Sequence, residues 1–252
     1  MQPEESNDAS ETQAATTAVP HRRIIVIGGH TRSIGKTQLV CDVIRAFPHV
    51  NWTAGKITQY GHGVCAQNGH DCDCAPDEHV SAFAWERDSQ SGTDSARFLA
   101  AGAQRSFWLR TKQGFLAEGL PLMRNALDKI VGSNSDVGEA ANFNSASEDH
   151  PSALILESNS LLQFLKPSLY FAVVDPSRDD FKDSARSALD RADALVLRGA
   201  MNPASPEPAW LKLPAALLRL KPSVTQHEGD PLPEPLHVLV ERVLQSPPSV
   251  VL

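Results

Sequence analysis

Residues 22–38, RRIIVIGGHTRSIGKTQ, pass from a β-branched apolar run through a glycine-containing turn into Gly35-Lys36-Thr37. No other stretch constrains the fold as tightly. An apolar run bounded by a polar segment and glycines reads as a buried parallel strand. Behind the turn, KTQLVCDVIRAF (36–47) sets Leu39, Val40, Val43, Ile44 and Phe47 at helical spacing, and Pro48 ends the pattern. A strand, a turn and a helix opening on Gly-Lys-Thr is the setting in which backbone N–H groups and a helix N-terminus cradle phosphate oxygens.

The pattern G-x-x-x-x-G-K-[S/T] is met at every position but the first, where His30 replaces glycine. A side chain there disfavours a left-handed backbone, although histidine is among the residues enriched in it. Gly28 and Gly29 precede it and offer the missing freedom. The expected phosphate-binding stretch is therefore Gly29, His30, Thr31, Arg32, Ser33, Ile34, Gly35, Lys36, Thr37 and Gln38. Lys36 is expected to reach the outer phosphates of ATP or GTP, and the Thr37 hydroxyl to hold Mg²⁺. SALILES (152–158) is a strand running into Glu157, a carboxylate suited to the same Mg²⁺ or its water shell. Asp175, at the end of LYFAVVD, is a second carboxylate of this kind.

The remaining pattern alternates. Strands are predicted at 51–58, 106–111, 152–158, 169–175 and 193–199, and helices at 93–103, 116–131 and 179–191. Such alternation predicts an α/β fold, a mostly parallel sheet sandwiched by helices, with ligands at the carboxyl ends of the strands. Together with the turn at 29–37 it points to a P-loop NTPase fold.

Residues 1–20 are acidic and polar and read as a disordered tail, followed by the NTPase domain over 21–200. A loop at 132–151 is rich in Ser, Asn, Gly and acid, and a Pro-rich extension over 201–252 is expected to pack on the domain. A net charge of −7 argues against nucleic acid, and no run approaches the length of a membrane span. A cytoplasmic protein is expected. Cys41 stands alone in the first helix as a small buried hydrophobe, whereas Cys65, Cys72 and Cys74 crowd into the insertion at 59–80 with three histidines. His62, Cys65, Cys72 and Cys74 form a candidate four-coordinate set for Zn²⁺, with an Fe–S cluster or free redox thiols as alternatives.

Lys56 at the end of its strand and SGTDSARFLAAGA (91–103) resemble the molybdopterin-guanine dinucleotide biosynthesis protein B (MobB) family. The matching residues are Lys56, Gly92, Asp94, Ser95, Arg97, Ala101, Gly102 and Ala103, with Glu157 similar to the family's strand acid. The resemblance covers 22–175. It implies a homodimeric nucleotide-binding protein with weak hydrolysis that serves a metallo-cofactor enzyme during molybdenum cofactor maturation. Lys36, Glu157 and Asp94 are then the candidate catalytic residues, Asp94 near Mg²⁺ and Arg97 paired with an acid or a phosphate. The chain departs from the family at His30, in the 59–80 insertion, and after DALVLRG, where Arg198, Gly199 and Ala200 replace a guanine-reading N-K-x-D. Two other readings share the fold: a small-molecule kinase of the dethiobiotin-synthetase-like class, and a nucleotide-binding regulatory module without turnover.

Overall fold

A computed structural model describes residues 21–60, 80–132, 151–175, 177–178, 180–198 and 220–252. The strands are β1 (His21–Arg22), β2 (Ile24–Gly29), β3 (Asn51–Tyr60), β4 (Ser81–Glu86), β5 (Arg105–Lys112), β6 (Ser152–Glu157), β7 (Leu169–Val174), β8 (Ala194–Leu197), β9 (Ser223–Thr225) and β10 (Val250–Val251). The helices are α1 (Lys36–Ala46), α2 (Asp94–Ala100), α3 (Leu116–Gly132), α4 (Asp183–Arg186) and α5 (Glu234–Gln245). Eight strands form one sheet in the order β4-β5-β3-β6-β2-β7-β8-β9. Every neighbouring pair is parallel except β4–β5. β1 and β10 pair separately, joining the start of the described chain to its end.

Alternation along the central strands builds two cores. Ile25 and Ile27 of β2 face Leu39, Val40, Val43 and Ile44 of α1, together with Phe98 of α2 and Leu236 and Val240 of α5. Ile24 and Val26 face the opposite way, toward Leu116, Met123 and Leu127 of α3. Each such side chain contributes about 1.5–3 kcal/mol when fully buried. The sheet is thus covered on both faces, which is why β2 and β7 can be apolar at every position. After β2 the chain crosses to β3, two places to one side; the later strands β7, β8 and β9 extend the other side. β2 is therefore the switch point, and the turn that follows it opens into the crevice where such sheets take ligands.

The structure departs from the sequence expectations in three places. The predicted helix over 179–191 is a single turn, α4, followed by a 3₁₀ turn at Leu189–Arg191. The chain must reverse there so that the Asp193 N–H can reach the Tyr170 carbonyl (2.8 Å) and the Asp193 carboxylate can accept the Tyr170 N–H (2.7 Å). The antiparallel strand β4 has no counterpart in the sequence reading. Within the Pro-rich 201–252 stretch, β9 extends the sheet beside β8 and α5 packs against the α1 face. Pro235 sits in the first turn of α5, where its missing N–H costs nothing. Among the described residues, no helix is long and apolar enough to cross a membrane.

Candidate functional site

The turn after β2 resolves the question of His30. Its backbone is not left-handed: among the described non-glycine residues only Ser33 has a positive φ (52°), and Gly35 carries the other left-handed position of the turn (87°). His30 is instead buried, with its N–H on the Val173 carbonyl (3.2 Å) and its own carbonyl accepting the Lys182 N–H (2.9 Å). Its Nδ1 accepts the Asp175 N–H at 3.3 Å, and its ring lies 5.3 Å from that of Phe181. Burial lowers its pKa below the ordinary histidine value, against the pull of Asp180 and Asp175. A neutral imidazole with Nδ1 as acceptor fits this environment. The side chain that breaks the glycine pattern thus works as a wedge between the turn and the end of β7.

The two glycines before it are required by close approach. A Cβ on Gly28 would lie 2.3 Å from Asn159 Oδ1, and one on Gly29 would lie 2.7 Å from Ile34 Cδ1. Asn159 stands this close because its amide pairs with Gly29 as a strand would, accepting the Gly29 N–H (2.8 Å) and donating to its carbonyl (2.7 Å). It follows β6 by two residues and was missed in the sequence; the only signal was its place two positions behind a strand-terminal acid. Thr31 hydrogen-bonds Asp180 through its hydroxyl, and Arg178 reaches the Arg32 carbonyl (3.2 Å). The turn is therefore held from β6, β7 and the segment leading to α4.

Gly35 caps α1, and Lys36 and Thr37 open it. Lys36 Nζ donates to the Thr31 carbonyl across the turn at 2.6 Å. Burial draws its pKa down to about 8; Glu157 opposes this, while Lys182 and Lys56 add to it. This ammonium has a helix N-terminus behind it and, among the described residues, no carboxylate within ion-pair distance, an environment that an anion would relieve. Thr37 Oγ1 donates to Glu157 Oε2 at 2.7 Å, and both residues are buried. Parallel register sets Lys56 of β3 beside Glu157 of β6. Lys56 Nζ lies 3.4 Å from Glu157 Oε1 and also pairs with Asp94, the first residue of α2. Its pKa is raised: burial acts to lower it, but Glu157 and Asp94 together outweigh that. Arg97 lies 3.7 Å from Asp94 and donates to Gln38 Oε1 at 3.0 Å.

Lys36, Thr37, Lys56, Asp94 and Glu157, far apart in the sequence, thus line one cavity of about 1500 Å³ at the carboxyl ends of the strands. Asp175 borders it, its carboxylate turned to Ser177, which donates through N–H (2.9 Å) and hydroxyl (2.6 Å). Arg198 follows β8 directly, also lines the cavity, and joins the turn to the segment after β9, donating to the carbonyls of Gln226 (3.2 Å), His227 (3.4 Å) and Gly35 (3.4 Å). A glycine-containing turn between the switch-point strand and a helix opening on Lys-Thr, with the threonine hydroxyl on a strand-terminal acid next door, decides the fold. It is a P-loop NTPase fold.

His62, Cys65, Cys72 and Cys74 lie outside the described residues. Cys41 is a buried free thiol whose pKa burial raises to about 11, with Sγ 3.5 Å from the Arg97 carbonyl. Among the described residues, no cluster of three or more His, Cys, Asp or Glu side chains gathers to hold a metal. Mg²⁺ at nucleotide sites is commonly held through one or two carboxylates, phosphate and water supplying most of the rest. The hard oxygen set of Thr37, Glu157 and Asp94 fits that demand.

No family model matches the sequence, and no curated protein matches it. Among solved structures the chain is similar to HypB from Helicobacter pylori in complex with nickel, at 14% identity over 91% of this chain and 92% of that one, with a TM-score of 0.45.

Proposed function

We propose that this protein binds a magnesium nucleoside triphosphate, ATP or GTP, at the turn 29–38 and hydrolyses it. In this reading it acts as a MobB-like accessory factor in the maturation of a metal or molybdenum cofactor. The observation that carries the nucleotide reading is the pair Lys36–Thr37 at the start of an 11-residue helix, with the Thr37 hydroxyl on buried Glu157. Turn and helix N–H groups take the phosphate oxygens, and Lys36 supplies the charge that its burial leaves uncompensated. Thr37, Glu157 and Asp94 would hold Mg²⁺, which would supply positive charge to the phosphates. The cofactor-maturation reading rests on the DS-x-R…AGA element, whose Asp94 and Arg97 stand at the same cavity as the turn.

Calorimetry with Mg·ATP and Mg·GTP tests the first part: Lys36→Ala should cost about a hundredfold or more in affinity. Unchanged affinity refutes the reading of the turn. Release of inorganic phosphate with no second substrate supports hydrolysis. A homodimer and a metal on His62, Cys65, Cys72 and Cys74 complete the proposal. Light scattering checks the dimer; metal content of untagged protein with and without Cys72→Ser checks the ligands, and equal content removes that site.

One observation favours the kinase as a second reading. The cavity extends past the phosphate-binding residues to Ile57, Gln59, Gln113, Leu116 and Phe164, and its 1500 Å³ exceeds what most single ligands fill. Nucleoside diphosphate formation that appears only after an acceptor is added, with the phosphoryl group on the acceptor and no inorganic phosphate released, selects this alternative.

A further inference from the structure

The corner of the site assigned to Mg²⁺ already contains a cation that belongs to the protein. Lys56 projects from β3, its side chain only 18% exposed, and its ammonium contacts Asp94 and Glu157 together. Glu157 is tied at both oxygens, Oε1 to Lys56 at 3.4 Å and Oε2 to the Thr37 hydroxyl at 2.7 Å. Arg97, 3.7 Å from Asp94, adds a second positive group. Two carboxylates are therefore matched by two side-chain cations before any metal arrives. Register holds this arrangement in place, because Lys56 and Glu157 are paired positions of adjacent parallel strands.

A divalent ion entering this corner meets carboxylates already engaged and an ammonium that repels it at contact distance, where little water screens the charges. We propose that Lys56 is an internal substitute for the divalent cation: it occupies Asp94 and Glu157 in the nucleotide-free protein and gives them up when metal arrives with the triphosphate. The phosphates bring the negative charge that receives the displaced ammonium, so metal and nucleotide enter as a unit. Free metal finds no vacant site. The inference rests on the magnesium-nucleotide reading above and gives Lys56 a role beyond matching a family pattern.

The test uses the nucleotide-free full chain and Mn²⁺ as the probe, with free Mn²⁺ read by electron paramagnetic resonance. Wild type should bind weakly. Lys56→Met should bind at least about tenfold more tightly, because removing an adjacent charge commonly shifts such equilibria by that much or more. Lys56→Arg, which keeps the charge, should stay near wild type. Adding Asp94→Asn to Lys56→Met should abolish the gain and so locate it in this corner. Equal Mn²⁺ affinity in wild type and Lys56→Met overturns the proposal. An equal rise in Lys56→Arg also overturns it, since altered packing rather than charge would then be responsible. If Lys56→Met unfolds readily, its melting temperature is followed with Mn²⁺. A larger metal-induced rise than wild type supports the substitution role, and no rise counts against it. Because the titration contains no nucleotide, its failure is distinct from a Lys36→Ala result that refutes nucleotide binding.

Discussion

The inner and outer strands of the sheet differ in burial, and the difference marks where the site is built. Every residue of β2 and β7 is buried, whereas no residue of β4 or β9 is. One part of the cavity hangs from the inner strands and β3 beside them: the turn that lines it leaves β2 after Gly29, Glu157 ends β6 with Asn159 two residues on, and Lys56 lies on β3. Another part of its border, with Gln226, His227 and Glu228, hangs from β9, a three-residue edge strand. Backbone fixed on both faces can place a hydroxyl against a carboxylate to within a hydrogen bond. A strand paired on one side only leaves its loops free to vary. On the proposed reading, phosphate recognition would be anchored in the core of the fold, and whatever reads the rest of a nucleotide would be anchored at its margin.

This contrast can be broken by mutation. The largest effect is expected at Phe171 on β7, fully buried between inner-strand neighbours: Phe171→Ala should cost about 3–5 kcal/mol in urea unfolding. Next is the contact that shapes the turn. Asn159→Ala leaves the Gly29 N–H and carbonyl without their partner and should cost about 1–3 kcal/mol. Gly28→Ala should cost a similar amount, because its Cβ would enter the space of Asn159 Oδ1. The double variant should cost less than the sum, since both remove one interaction. Additive costs would show that the amide does not dictate the glycine.

A pH effect comes third. The Lys36 pKa falls from 10.5 to about 8 on folding, so between those values the unfolded chain binds more protons and stability rises with pH. The penalty is fully present below pH 8 and gone above about 10.5. Lys36→Met lacks it, so the stability advantage of Lys36→Met over wild type should shrink by about 1–3 kcal/mol across that window. Chemical denaturation of both proteins at pH 7.5 and pH 10.5 measures the change. An advantage that grows with pH refutes the assignment. The smallest effect belongs to the margin: Val224→Ala on β9 should cost under about 1 kcal/mol. A loss comparable to that of Phe171→Ala would erase the distinction between inner and outer strands.

How much was legible beforehand follows the same line. The inner strands and α1 could be read because a segment buried on both faces leaves an unbroken apolar run, and Lys36 and Thr37 because their chemistry needs a helix start. Glu157 was found as an acid ending such a run. Asn159, Lys182 and Arg198 were missed as contributors because nothing local marks them; their roles arise from parallel register and from the approach of loops distant in sequence. β4 escaped because its residues are half-covered by a single antiparallel neighbour, which leaves a mixed pattern. The helix expected at 179–191 carried the right periodicity and lost to the need to fix Asp193 on Tyr170 just before β8 begins.

His30 carries one further consequence. A glycine in that position leaves the turn free to sample shapes until a ligand selects one. Here an imidazole, wedged against Asp175 and Phe181 and bonded through its main chain to Val173 and Lys182, joins the turn to the strand beyond it. Much of the ordering that phosphate would otherwise impose is complete before the ligand arrives. Association should then resemble docking onto a finished mould, and the amides of Asp175 and Lys182 should exchange with solvent slowly whether or not nucleotide is present.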